Sequence, residues 1–342
     1  MEPLLKQKYE ETLKLNLTEK ITNLEELLVS CKQKKDAKLT YIIQFELMEG
    51  YKQEGKTHKA LQMYLYNMDV YLDNGFDVKM LVDRFPWVST NIDSISAITQ
   101  IQINTFFITM KRVFENSIYS LRSYYQELYR YQMRVGCWED AFQTYTKWIV
   151  ESRDVVSQSM AIEESERALY YFLVGDNQNA KYIFNSVEKG IEGDNGAKAY
   201  LFPRTARYYL ELKEWETTTY LIRRGYDFNK YKPESLEEIT EIMKILAVLN
   251  PKICLKMWKK HRYNIINSEN ERAHFSFGIA ALLIEKSLCR LLIHSKTGEK
   301  LKEDIESMRS LERLFDSRNQ TTSYAEEVEY WSNTWLRFNK NR

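Results

Sequence analysis

Apolar residues return every three or four positions along most of this chain, with polar residues filling the gaps. In "LTEKITNLEELLVSCKQ", Ile21, Leu24, Leu27, Leu28 and Cys31 form a single helical stripe. Segment after segment repeats the pattern. Between the segments stand short breakers: "QEGKT", "DNG", "VGDNQ", "EGDNG", "YKPES" and "LNP". The pattern predicts about 14 to 16 helices, and no segment alternates with the period of a strand. The expected fold class is all-α.

Several consecutive helices share one internal spacing. A turn residue is followed five positions later by a small residue, and four after that by an aromatic or apolar one. Gly55, Ala60 and Tyr64 fit, with Tyr51 four before the glycine. Gly136, Ala141 and Tyr145 fit again, as do Gly175, Ala180 and Phe184, preceded by Tyr171. Looser copies run through Lys213, Thr218 and Ile222 behind Tyr209, and through Leu249, Cys254 and Trp258 behind Ile245. The physical logic is that of a helical hairpin. The turn residue ends the first helix in a left-handed conformation, the small residue lets the second approach closely, and the large one fills the seam.

This spacing resembles the tetratricopeptide repeat, whose consensus sets glycine, alanine and an aromatic at these offsets. The resemblance implies a right-handed α-solenoid of stacked antiparallel helix pairs over residues 38–265. Residues 1–37 are expected to cap its start and residues 266–342 its end, both irregularly. The steps from Ala141 to Ala180, Thr218 and Cys254 are 39, 38 and 36 residues, longer than the family's 34. From Ala60 to Ala141 is 81 residues, room for a divergent pair or an insertion at 78–118.

Composition sharpens the picture. Only 11 Gly and 5 Pro interrupt 342 residues, too few for a fold of many tight turns. The 49 basic and 48 acidic residues leave a net charge of +1, with no global pull toward nucleic acid or an anionic membrane. No apolar run is long enough to cross a bilayer; the longest, Phe277 to Ile284, ends at Glu285 and Lys286. The N-terminal "MEPLLKQKYEETLKLN" lacks the apolar core of a secretion signal, and the four cysteines form no C-x-x-C pair. A reduced, cytoplasmic protein is expected. Abundant Lys, Ile, Asn and Tyr suggest an AT-rich bacterial genome.

The candidate chemistry is thin. "GYKQEGKT", Gly50 to Thr57, satisfies the phosphate-loop string G-x-x-x-x-G-K-[ST]. Its variable positions are bulky helix formers, however, and the preceding residues carry helical spacing. It reads as the end of one helix and the start of the next, with Thr57 as N-cap. Glu271 and His274 make one E-x-x-H where a di-iron bundle needs two, so a solvated or locally hydrogen-bonded histidine is expected and no metal. No cofactor and no catalytic residue are expected; the chain is read as non-enzymatic. "KMWKKHRYN", Lys256 to Asn264, is basic with interleaved aromatics and reads as a solvated helix face, making nucleic acid an unfavoured partner. The stripe Leu301, Ile305, Met308, Leu311 and Phe315 describes a helix covering the array's end. Trp331 and Trp335 share a core-facing side of the tail.

The repeat resemblance also implies where a ligand would lie: on the concave face made by the first helices. Continuing the register across 122–135 places Ser123, Gln126, Arg130, Met133 and Arg134 there. Across 199–212 it places Tyr200, Arg207, Leu210 and Glu211, and across 41–54 Glu49, Lys52 and Gln53. Gln126, Arg130, Met133, Arg134, Tyr200, Arg207 and Glu211 are the candidate partner-binding set, suited to the carboxylates and backbone of a polypeptide. The expected function is protein or peptide binding, as a bacterial inhibitor, immunity or regulatory protein. One alternative resembles the intracellular peptide-pheromone sensors of Gram-positive bacteria, without their DNA-binding domain, because residues 1–37 are too short for it. The other is an all-helical enzyme whose site has no sequence signature.

Overall fold

A computed structural model of the chain describes residues 3–190, 195–292 and 294–339. Every regular element among them is a helix, 18 in all. The count exceeds the periodicity's because two helices are too short to show a period. The chain divides into two compact units, Met1–Ser157 and Gln158–Arg342. The division falls within residues 38–265, the stretch expected to run as one array. Part of the "EGDNG" break, residues 192–194, lies outside the described residues.

The first unit contains α1 (Pro3–Thr12), α2 (Leu17–Gln33), α3 (Ala37–Gln53), α4 (Thr57–Asn74), α5 (Lys79–Val82), α6 (Phe85–Asn91), α7 (Gln100–Glu115), α8 (Arg122–Arg134) and α9 (Trp138–Val150). Helices α1 to α4 pack in sequence, each on the next, and α8 packs on α6, α7 and α9. The 78–118 region holds the two short helices and α7. Their hub is Phe85, whose ring meets those of Phe106, Phe107, Phe114 and Tyr124 at centroid distances of 5.6 to 6.3 Å. One aromatic residue thereby ties α6 to both long helices that follow. The Tyr64 hydroxyl of α4 donates to the Leu81 carbonyl of α5 at 2.9 Å.

The second unit is more regular. It contains α10 (Met160–Leu173), α11 (Asn177–Gly190), α12 (Asn195–Glu211), α13 (Trp215–Asn229), α14 (Leu236–Leu249), α15 (Pro251–Ile266), α16 (Glu271–Leu292), α17 (Lys296–Asn319) and α18 (Ser323–Asn339). Each even-numbered helix from α10 to α16 pairs with the helix after it. The first helices of successive pairs also pack together: α10 on α12, α12 on α14 and α14 on α16. Helix α18 then returns to lie on α14, α16 and α17. Trp331 is buried, in keeping with the core role expected of the tail, while Trp335 is half-buried and donates its indole N–H to Ser287 Oγ at 2.7 Å.

The turn positions read from the sequence have a common backbone. Gly55, Gly136, Gly175 and Lys213 have φ of 73°, 78°, 82° and 60°, the left-handed region that ends a helix. The amide after the turn residue then bonds back to the carbonyl five positions earlier: Lys56 to Tyr51, Cys137 to Gln132 and Glu214 to Tyr209, at 2.9 to 3.0 Å. The small residues Ala60, Ala141, Ala180, Thr218 and Cys254 and the large residues Tyr64, Tyr145, Phe184, Ile222 and Trp258 are all buried. Leu249 departs from the pattern. No left-handed residue follows α14; Asn250 caps α15 through its side chain at Ile253 N, and Pro251 opens the helix. A further turn of the same kind escaped the sequence. Lys35 has φ of 56°, and Asp36 N bonds to the Cys31 carbonyl at 3.0 Å. The residues five and nine later, Thr40 and Gln44, are buried but polar, which hid the copy.

The octapeptide that resembles a phosphate loop is a helix end. Helix α3 runs through Gly50 to Gln53, and a Cβ on Gly50 would stand 2.8 Å from Ile21 Cγ1. That glycine therefore allows α2 to approach α3. Thr57 is the first residue of α4 rather than its cap; the cap position falls on Lys56, directly after the left-handed Gly55.

Candidate functional site

In the first unit, the candidate residues of α8 turn toward neighbouring helices. Gln126 is fully buried, at 0% exposure, so it is packed rather than presented to a partner. Arg130 pairs with the buried Glu127 at 2.8 Å, and Glu127 accepts from Ser89 Oγ of α6 at 2.6 Å. Arg134 grips Asp93 with two N–H groups, both at 3.1 Å, and donates to the Ser89 carbonyl at 2.8 Å. Both arginines thus neutralise carboxylates that are themselves out of water, at a cost if either partner is removed. Ser123 donates to the Val156 carbonyl at 2.7 Å, and Met133 is half-buried. Glu49 of α3 accepts from Arg84 and Lys52 at 2.9 and 2.8 Å.

In the second unit, Arg207 and Glu211 of α12 meet the chain's own C-terminal helix. Arg207 donates to Glu327 Oε2 at 2.9 Å and lies 3.8 Å from the centre of the Tyr330 ring. Lys244 of α14, only 2% exposed, reaches Glu327 Oε1 at 2.8 Å and Glu241 at 2.6 Å. The Trp331 indole N–H donates to the same Glu327 oxygen at 2.7 Å. Burial alone would raise the Glu327 pKa, but Arg207 and Lys244 hold the carboxyl well below its usual range. Glu211 accepts from the Tyr330 hydroxyl at 2.6 Å and from Arg337 at 2.9 Å. Arg204 stacks over Tyr200 at 3.9 Å. Arg207 and Glu211, expected to hold a partner on the first-helix row, here hold α18, whereas Tyr200 lies against Arg204 of its own helix.

An open apolar groove adjoins the contact of α12 with α18, with Glu211 and Arg337 at its edge. Helix α14 forms its floor with Ile242, Leu246 and Leu249, spaced so that all three share a helical face. Helix α13 forms one wall with Trp215, Ile222 and Tyr226, and α15 the other with Ile253 and Met257. Both walls pack on α14 and meet each other where Tyr226 of α13 contacts Lys260 and His261 of α15, with a trough of about 1350 Å³ between them. Phe338 of α18 closes one end, edge-on to Trp215 at 5.0 Å. Ile253 is 51% exposed and Trp215 44%. Such clustered apolar exposure is uncommon on a surface with no partner.

Charge around this groove has one sign. Lys213, Arg223, Lys256, Lys260 and Arg337 line it, against the single carboxylate of Glu211, already held by Arg337. Lys260 donates to the Tyr226 hydroxyl at 2.9 Å, which in turn lies 3.0 Å from His261 Nε2, fixing that ring against the wall. Across α13 the smaller neighbouring groove is acidic. Glu188, Glu214 and Glu216 line it, and its Lys181 is paired with Glu214 at 2.5 Å. The stretch "KMWKKHRYN", read as a solvated helix face, carries Lys256 and Lys260 of the basic groove. Its Trp258 is buried, and its Arg262 pairs with Asp304 and Glu303 at 2.9 Å.

Cys254 and the histidine of the E-x-x-H are held by neighbouring groups. Burial pushes the Cys254 thiol upward, opposite to what a thiolate nucleophile needs, and its Sγ donates to the Met243 carbonyl at 3.2 Å. His274 of the single E-x-x-H lies 3.2 Å from Ser268 Oγ through Nε2. No protein-family model matches the chain, and no curated protein matches it.

Proposed function

We propose that the chain is a non-catalytic, polypeptide-binding protein built from tetratricopeptide-like helix pairs, and that it takes its partner in the groove between α13 and α15. The groove itself carries this reading. It is apolar, open, too large for an ordinary small-molecule site of roughly 300–1,000 Å³, and walled by paired helices. The placement differs from the first-helix row expected of a solenoid. There Arg207 and Glu211 are engaged by α18, so a partner would have to displace a helix whose Trp331 belongs to the core. The groove between second helices needs no displacement. We extend this reading to a role as a bacterial cytoplasmic inhibitor, immunity or regulatory protein, each of which acts by holding another polypeptide.

Selection from a displayed peptide library tests the proposal. Peptides enriched on the intact chain should lose binding to Ile253→Asp, whose exposed site leaves folding and Tm unchanged. A library that yields no binder, or binders indifferent to Ile253→Asp, contradicts it.

A further inference from the structure

The occupant of the α13/α15 groove can be specified further, on the reading that the groove binds polypeptide. We infer that it receives about three turns of an amphipathic α-helix from a partner protein, with acidic residues flanking the apolar stripe.

Shape comes first. Two second helices, joined at the Tyr226–His261 contact, flank the helix beneath them, so the trough between them has a helical floor and two helical walls. The groove's 1350 Å³ gives room for a helical segment about 10 Å across and about three turns long. A single acyl chain would leave most of that volume empty. The depth of the groove is apolar: Ile242, Leu246 and Leu249 form the floor, and the nearby Asn250 side chain is already used to cap Ile253 N. A polar ligand would find few partners there, whereas apolar side chains at spacings of three and four match the row opposite them.

Charge fixes the flanks. With Arg337 set against Glu211, Lys213, Arg223, Lys256 and Lys260 remain, so anionic residues beside the stripe meet opposite charge along both walls. The acidic groove across α13 repels the same residues and confines an acidic helix to this side.

The test is fluorescence anisotropy with the full-length chain and labelled peptides of one composition. The first has an apolar i, i+3, i+4, i+7 stripe flanked by glutamates. The second has the same residues scrambled so that no stripe forms, and the third has lysines in place of the glutamates. The first should bind saturably and weaken as salt rises. Lys213→Glu combined with Lys256→Glu, both at exposed positions, should weaken it by at least about tenfold. The second and third should bind far more weakly. Equal binding of the scrambled or lysine peptide overturns the inference, as does oleate saturating the groove while no peptide binds. The two readings fail separately. If library peptides lose binding on Ile253→Asp but the acidic helix never binds, polypeptide binding stands and the helical, acidic occupant falls.

Discussion

Glu327 concentrates the second unit's electrostatics in one carboxylate. It accepts from Arg207, Lys244 and Trp331, and Lys244 has almost no access to water. Replacing it as Glu327→Gln leaves two cations facing a neutral amide, with Glu241 still beside Lys244. A loss of about 3 kcal/mol in urea unfolding is expected. The pH dependence has a definite sign. The folded carboxyl titrates well below its ordinary 4.5, so the unfolded chain takes up the proton first. The stabilisation is complete above pH 4.5 and declines as pH falls from there toward the depressed folded value. Acid titration of the wild type should show this decline, and Glu327→Gln should lack it. Lys35 makes a second residue-scale case. Its φ of 56° strains a side-chain-bearing residue, so Lys35→Gly should raise stability by about 0.5–1 kcal/mol, less if the unfolded chain's added freedom offsets it. An unchanged or lower Tm would contradict that.

Among the elements, close approach decides the pairs. Helix α16 meets α17 at Gly278, where a Cβ would collide with Met308 and stand 2.7 Å from the Asp304 carbonyl. Gly278→Ala should therefore cost about 1–3 kcal/mol despite improving helix propensity, read as a lower Tm. The pairing was largely legible in the sequence because hairpin turns leave local marks. Gly55, Gly136 and Gly175 announced left-handed turns, Ala60, Ala141 and Ala180 announced tight contact, and all six stand where that logic puts them. The Lys35 turn was invisible because Thr40 and Gln44 occupy its contact positions. Helices α5 and α6 were invisible because four and seven residues are too few to display a period. The site was much less legible. Register assigns residues to a helix face, but the partner on that face comes from distant sequence: Arg207 and Glu327 are 120 residues apart, and Arg134 and Asp93 are 41 apart. The groove likewise depends on how far α13 stands from α15, which no local spacing records.

For the molecule as a whole, each unit holds its own core, one built around Phe85, Phe106 and Tyr64 and the other around Trp258, Phe315 and Trp331. Residues 158–342 expressed alone should accordingly unfold cooperatively and keep the groove's peptide binding; a fragment with no cooperative transition would contradict that. The central claim is that the groove between second helices, not the first-helix row, receives a polypeptide. Photocrosslinking tests it most directly, with a benzophenone on the apolar stripe of the acidic helical peptide and mass spectrometry locating the adducts on the full-length chain. Adducts at Met257, Ile253 and Ile222 are predicted. Adducts at Met133, Tyr200 or other residues outside the groove would contradict the account.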